Sequence, residues 1–241
     1  MTEMEAFFAL QESLPRQGPG DCASLDAALA PLALAADARI LDAGCGVGAD
    51  IPGLLAHATK GHITAVDPHA PFIERARVAH AGDDRITAEA RSMLNCAGPY
   101  DLIWCAGALY FLGLEAGLAW AASALNSDGA LAFSEPAYFS ETPSPQARAF
   151  WEGEGAAIST EADIRGACEA AGFRVLTAFK LPDAAWEAYY GPMELCVAAL
   201  RPDATQAMAS ALDAALDEAS RWRAVRAETG YLMVTAEKRK M

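Results

Sequence analysis

"ILDAGCGVGAD", residues 40–50, is the stretch on which the reading of the fold turns. An apolar run through Ile40 and Leu41 passes Asp42 and enters Gly44, Gly46 and Gly48; Ile51, Leu54, Leu55 and Ala58 then recur at helical spacing. That order is strand, tight turn, helix. Glycines at the turn let the backbone reverse sharply and let a ligand approach closer than any Cβ would permit. Asp67 closes "TAVD" (64–67), which reads as the end of the next strand. A carboxylate at that tip is positioned to take both hydroxyls of a ribose, so loop and acid together predict a nucleoside-containing cofactor.

Gly44, Gly46 and Ala49 satisfy the spacing of a dinucleotide loop. Asp42 argues against it, because a carboxylate two residues before the first glycine repels a pyrophosphate and accepts a cationic amine. S-adenosylmethionine carries an ammonium, a sulfonium, a ribose and an adenine but no phosphate, and the loop suits it better.

Working outward, strands and helices alternate from Arg39 onward, the pattern of a parallel sheet covered on both faces. Strands are expected at 62–69, 85–90, 100–107 and 129–136, with an alternating strand at 173–181 and a last one at 231–238. Thr160 followed by Asp163 predicts a helix N-cap, with Gly172 closing that helix. Two helical stretches precede the last strand: 183–201, expected to be interrupted at Pro192, and 203–227, with Met208, Leu212, Ala215, Ala219 and Trp222 on one stripe.

The 241 residues suit one domain of α/β size. Six scattered cysteines lack any C-x-x-C spacing, so no metal is expected and they are read as buried reduced thiols. A net charge of −14 disfavours nucleic acid, and the basic run "EKRK" (237–240) is read as solvated. Neither a signal peptide nor an apolar run long enough to cross a bilayer is seen, so no membrane partner is expected and the localisation is read as cytoplasmic. Alanine-rich helix faces would allow a homodimer.

"ILDAGCGVG" (40–48), "AVDPH" (65–69), "YDLIWCAGALYFLG" (100–113) and "LNSDGALAFSEP" (125–136) resemble, in order, the successive motifs of class I S-adenosylmethionine-dependent methyltransferases. The likeness covers residues 37–136. A closer similarity, to a bacterial subgroup of small-molecule methyltransferases, extends to "LPRQGPG" (14–20), "SEPAYF" (134–139) and "AWEAYYGPME" (185–194) and implies no particular substrate. The resemblance implies a Rossmann-like, doubly wound seven-stranded sheet whose last strand is antiparallel. Around it we expect an N-terminal helical lid (1–36), a cofactor-binding core (37–182), a helical cap insertion (183–229) and the last strand with its tail (230–241).

Carried over position by position, the resemblance assigns Asp42 and the Gly44, Cys45, Gly46 and Gly48 loop to the methionine part of S-adenosylmethionine. Asp67 would take the ribose hydroxyls, Pro68 and His69 would line the adenine edge, and Cys105 would end the fourth strand beneath the methyl donor. Ser92 and Met93 stand where many relatives carry an aspartate for the adenine amine. Ser92 departs from that pattern, since a hydroxyl binds the amine neutrally and more weakly.

Methyl transfer needs alignment and exclusion of water, and a base only if the nucleophile arrives protonated. Glu135, at the end of the fifth strand, and Tyr110 are the candidate catalytic residues. Tyr110, Phe111, Tyr138, Trp151, Trp186, Tyr189 and Tyr190 would wall a substrate pocket, aromatic but with polar tips. Such a pocket suits a cation by ring-face attraction or a flat aromatic by stacking, and the residue list does not separate the two. No close cysteine pair is present to bind a metalloid. The restrained turn "LPRQGPGD" (14–21) would fold back over the cleft, with Arg16 reaching the cofactor carboxylate or an anionic substrate group.

The leading reading is therefore methyl transfer from S-adenosylmethionine to a small-molecule acceptor, releasing S-adenosylhomocysteine. A nicotinamide-dependent oxidoreductase and a non-catalytic cofactor-binding protein are the alternatives.

Overall fold

The computed structural model describes residues 2–152 and 158–239. In chain order its elements are α1 (Glu3–Ser13), α2 (Cys22–Leu29), β1 (Arg39–Ala43), α3 (Ile51–His57), β2 (His62–Asp67), α4 (Ala70–Ala79) and β3 (Ile86–Ala90). There follow β4 (Tyr100–Cys105), α5 (Leu114–Ala124), β5 (Leu125–Tyr138), α6 (Pro145–Phe150), a two-residue β6 (Ser159–Thr160) and α7 (Glu161–Ala170). β7 (Phe173–Lys180), α8 (Asp183–Leu200), α9 (Gln206–Val225) and β8 (Thr229–Lys238) complete the list.

The sheet order is β3-β2-β1-β4-β5-β8-β7, with β6 attached to the end of β5. β1 to β5 are parallel, and β8 is wedged antiparallel between β5 and β7. The expected seven-stranded arrangement with an antiparallel last strand is present, and β6 is a small addition to it.

Alternation along the strands feeds two cores. Ile40, Ile63, Leu102, Trp104, Ala132, Tyr231 and Met233 face α1, α2, α3, α8 and α9. Leu41, Val66, Ile103, Leu131, Phe133, Leu232 and Val234 face α5 and α7. Thr235 donates its hydroxyl to the Ala28 carbonyl at 2.7 Å and so ties α2 to the last strand.

Capping follows the sequence signals. Thr160 accepts from the Asp163 amide, while Asp163 in turn accepts from the Thr160 amide and hydroxyl. Asp21 accepts from the Ser24 amide at 2.7 Å and starts α2. Three expectations need correction. α8 runs unbroken through Pro192, because Trp186, Tyr189 and Tyr190 before it and Met193 and Val197 after it are buried in one core; packing outweighs the lost backbone bond. Cys22 lies exposed and Cys45 and Cys196 are only half-buried, whereas Cys96, Cys105 and Cys168 are buried thiols as expected. The run 237–240 is not wholly solvated: Lys238 is half-buried and donates to the Ala122 and Leu125 carbonyls, while Glu237 and Arg239 keep their side chains partly exposed, and Lys240 lies outside the described residues. Among the described residues no helix is long and apolar enough to cross a membrane.

Candidate cofactor and acceptor site

The carboxyl ends of β1, β2, β3 and β4 open into a cavity of about 830 Å³. Its floor is the turn after β1 (Gly44, Cys45, Gly46), the residues after β2 (Pro68, His69), Ser92 and Met93 after β3, and Ala106 to Ala108 after β4. Gly44 and Gly46 have φ of +77° and +53°; a Cβ on Gly44 would lie 2.4 Å from that of Ala108, and one on Gly46 2.3 Å from Oε1 of Gln17. The turn is thus a bare-peptide cradle that no larger residue could form. Gly48 serves packing instead: it stays off the wall, against Ile51 and His80.

Two carboxylates face this cradle. Asp42 is 3% exposed, and its Oδ2 has no hydrogen-bond partner. Burial, and then the charges of Asp50 and Asp67, lift its pKa well above the usual carboxylate range, with Arg16 pulling the other way. A buried carboxylate without a partner is costly, and a cation set beside it would supply the missing one. Asp67 accepts from the Gly46 amide at 3.2 Å and the His69 amide at 2.8 Å; burial raises its pKa, and these two bonds oppose the rise.

The N-terminal segment roofs the cavity. The Phe8 ring stacks on His69 at 4.3 Å, and the imidazole of His69 pairs with Glu12. Gln17 accepts from the Val47 amide of the glycine turn at 2.9 Å and donates to the Gln11 carbonyl. Arg16 is 15% exposed and held by the Gly18 carbonyl and by Asp50, whose other oxygen accepts from the Trp104 indole at 2.9 Å. The Gly20 amide donates to the Ala185 carbonyl, joining the turn to α8.

Beyond the cradle the wall becomes aromatic. Tyr110, Phe150, Trp151, Trp186, Tyr189 and Tyr231 line it, with Glu152, Asp217, Glu218 and Arg221 near the mouth. The rings form one assembly: Tyr231 lies 5.1 Å from Trp186, 5.9 Å from Trp151 and 6.2 Å from Tyr110, and Trp186 stacks on Trp222 at 4.8 Å. The Trp151 indole donates to Thr229.

A family model described as "Methyltransferase domain" matches residues 16–178. The chain belongs to the methyltransferase domain family. Solved structures share the fold at low identity. A methyltransferase from Geobacter sulfurreducens, crystallised with S-adenosyl-L-homocysteine, is 17% identical over 98% of both chains with a TM-score of 0.79. One from Thiobacillus denitrificans, also with S-adenosyl-L-homocysteine, is 18% identical over 97% of this chain and 98% of that one, at 0.78. YjhP of E. coli is 19% identical over 98% of this chain and all of its own, at 0.78. No curated protein matches the sequence.

In this methyltransferase the cavity gathers Arg16, Asp42, Gly44, Cys45, Gly46, Asp67, Pro68, His69, Ser92 and Met93 on one side, and Tyr110, Phe111, Trp151, Trp186 and Tyr189 on the other. Ser92 uses its hydroxyl to cap the short turn after β3, accepting from the Leu94 amide. Phe111 lies at the rim, 71% exposed.

Five expected residues stand elsewhere. Glu135 and Cys105 face α5 and α7, beside Cys168, because strand alternation turns them to the far side of the sheet. Glu135 is buried there with one unpartnered oxygen, and its pKa is pushed up to about 8 by burial. Burial likewise raises the Cys105 thiol. Gly48 and Tyr138 are off the wall, and Tyr190 is fully buried behind it, donating to Glu218. Gln11, Phe150, Glu218 and Tyr231 were not anticipated. They come from a helix underside, a loop helix, a cap helix and a strand, and no local motif marks them.

Proposed function

We propose that this methyltransferase takes S-adenosylmethionine into the glycine cradle and methylates a small-molecule acceptor lodged against the aromatic wall, with S-adenosylhomocysteine as the spent form. The observation carrying the reading is Asp42: a buried carboxylate with an orphaned oxygen at the lip of a cradle that only glycines can form. The residues fit the group. Asp42 would hold its ammonium, the Gly44–Gly46 peptide its methionine backbone, Asp67 its ribose, and Pro68, His69, Ser92 and Met93 its adenine. Arg16 would compensate its carboxylate.

When bound, the group supplies a methyl already activated by a sulfonium. The chain's contribution is placement and dryness. The roof of Phe8 and Gln17 excludes water, and Tyr110 with Tyr231 presents the acceptor at the end of β4. Glu135 takes no part, since it lies on the other face of the sheet. The acidic surface and the roofed site favour a metabolite over a macromolecule.

Titration calorimetry tests this directly. S-adenosylhomocysteine is expected to bind with a single-site isotherm and NADH to give no heat; NADH binding without S-adenosylhomocysteine binding would overturn the reading.

A further inference from the structure

Gln11 carries a feature that the donor site does not use. It is 6% exposed, its amide nitrogen donates to the Tyr189 hydroxyl at 2.9 Å, and its Oε1 is buried without a partner. It stands where the main cavity meets a second one of about 420 Å³ between α1, α8 and α9. The two share Phe7, Gln11, Tyr189, Ala214 and Glu218, and the smaller is otherwise lined mainly by Leu10, Met193 and small residues of α9.

The charge of the wall points one way. Glu152 and Glu218 line the same cavity as the rings of Tyr110, Trp151, Trp186 and Tyr231 and supply negative charge to it, while Asp217 is paired with Arg221. Both arginines on the wall are engaged. Arg16 is on Asp50 and the Gly18 carbonyl; Arg221 donates to the Ala149 carbonyl, pairs with Asp217 and lies over the Phe150 ring. Among the described wall residues, then, an anionic acceptor meets no unengaged guanidinium. A cationic one meets ring faces, carboxylates and an oxygen lacking a donor.

Resting on the methyltransferase reading, we propose that the acceptor is an organic amine. Oε1 of Gln11 receives its N–H, the ring faces and Glu218 stabilise its charge, and the second cavity takes its apolar part. Gln11 is thereby a specificity-determining residue.

The test uses protein saturated with S-adenosylhomocysteine and three probes on one skeleton: 2-phenylethylamine, 2-phenylethanol and 3-phenylpropanoate. Calorimetry is expected to show the amine binding about tenfold more tightly than the alcohol, with the carboxylate weakest. Gln11→Leu and Glu218→Gln should each reduce amine affinity about tenfold or erase the preference, with S-adenosylhomocysteine affinity held within about twofold as the check that the protein is folded. Any of three results overturns the proposal: no heat with the amine, equal or tighter binding of the carboxylate, or unaltered amine affinity in both variants. Failure of the wild type to bind S-adenosylhomocysteine sinks the donor reading and this one together; normal donor binding without amine preference sinks this one alone.

Discussion

Asp42 sets the strongest constraint at the scale of single residues. Its carboxylate must be ionised to hold an ammonium, yet burial and two acidic neighbours favour its protonated form. Donor affinity should therefore fall as pH drops through the raised pKa, and binding at lower pH should release a proton. Calorimetry in buffers of different ionisation enthalpy would show it. Asp42→Asn should weaken S-adenosylhomocysteine binding by about tenfold or more and flatten that pH dependence. Glu135 gives a second pH signature, with no bearing on binding. Its folded pKa of about 8 lies above the ordinary carboxylate value. The folded state holds the proton more tightly, so the contribution is whole at low pH and is lost as pH rises toward 8. Glu135→Gln should melt close to wild type at pH 5 and about 3 °C or more above it at pH 9. The placement of Asp42, Gly44, Gly46 and Asp67 on the cavity was legible because one local strand-turn-helix-strand unit, β1 to β2, carries them all. Glu135 misled by parity: its neighbour Ser134 turns to the other face and accepts from the Gly107 amide, a one-residue difference that composition does not reveal.

Among the elements, α1 and α8 were the least legible. The sequence marks the turn at Gly18-Pro19-Gly20, and the inward reach of Arg16 was expected from it. The partners were not: Asp50, which holds Arg16, and Val47, which donates to Gln17, lie about thirty residues away, and only the folded chain brings them together. α8 shows tertiary contacts overriding propensity. A proline inside a helix removes one backbone bond and normally ends it, yet buried aromatics before it and buried Met193 and Val197 after it keep this one continuous. Pro192→Ala would return an amide donor to the Ala188 carbonyl. The variant should gain about 1 to 3 kcal/mol in urea-unfolding free energy.

For the whole molecule, the doubly wound seven-stranded sheet and the antiparallel β8 followed from the family likeness; in the second half of the cavity Tyr110, Phe111, Trp151, Trp186 and Tyr189 were expected, whereas Gln11, Phe150, Glu218 and Tyr231 were not. Those four come from α1, α6, α9 and β8: Gln11 meets Tyr189 across 178 residues of chain, and β8 carries Tyr231 into the sheet beside Trp186. Trp186 stacks on Trp222 and is nearly fully buried, so it is structural as well as part of the wall. Trp186→Ala should cost about 3 to 5 kcal/mol in denaturant unfolding, with α8 and α9 becoming protease-sensitive first.

The wedged position of β8 bears on how the chain is made. Synthesis delivers β5 long before β8, and among the described residues β7 pairs with β8 alone. Until the ribosome has released residues 229–238, β5 presents an open, strongly apolar edge and β7 has nothing to pair with. The nascent polypeptide thus spends the translation of some ninety residues with its central sheet unfinished, a window in which chaperone capture competes with self-association.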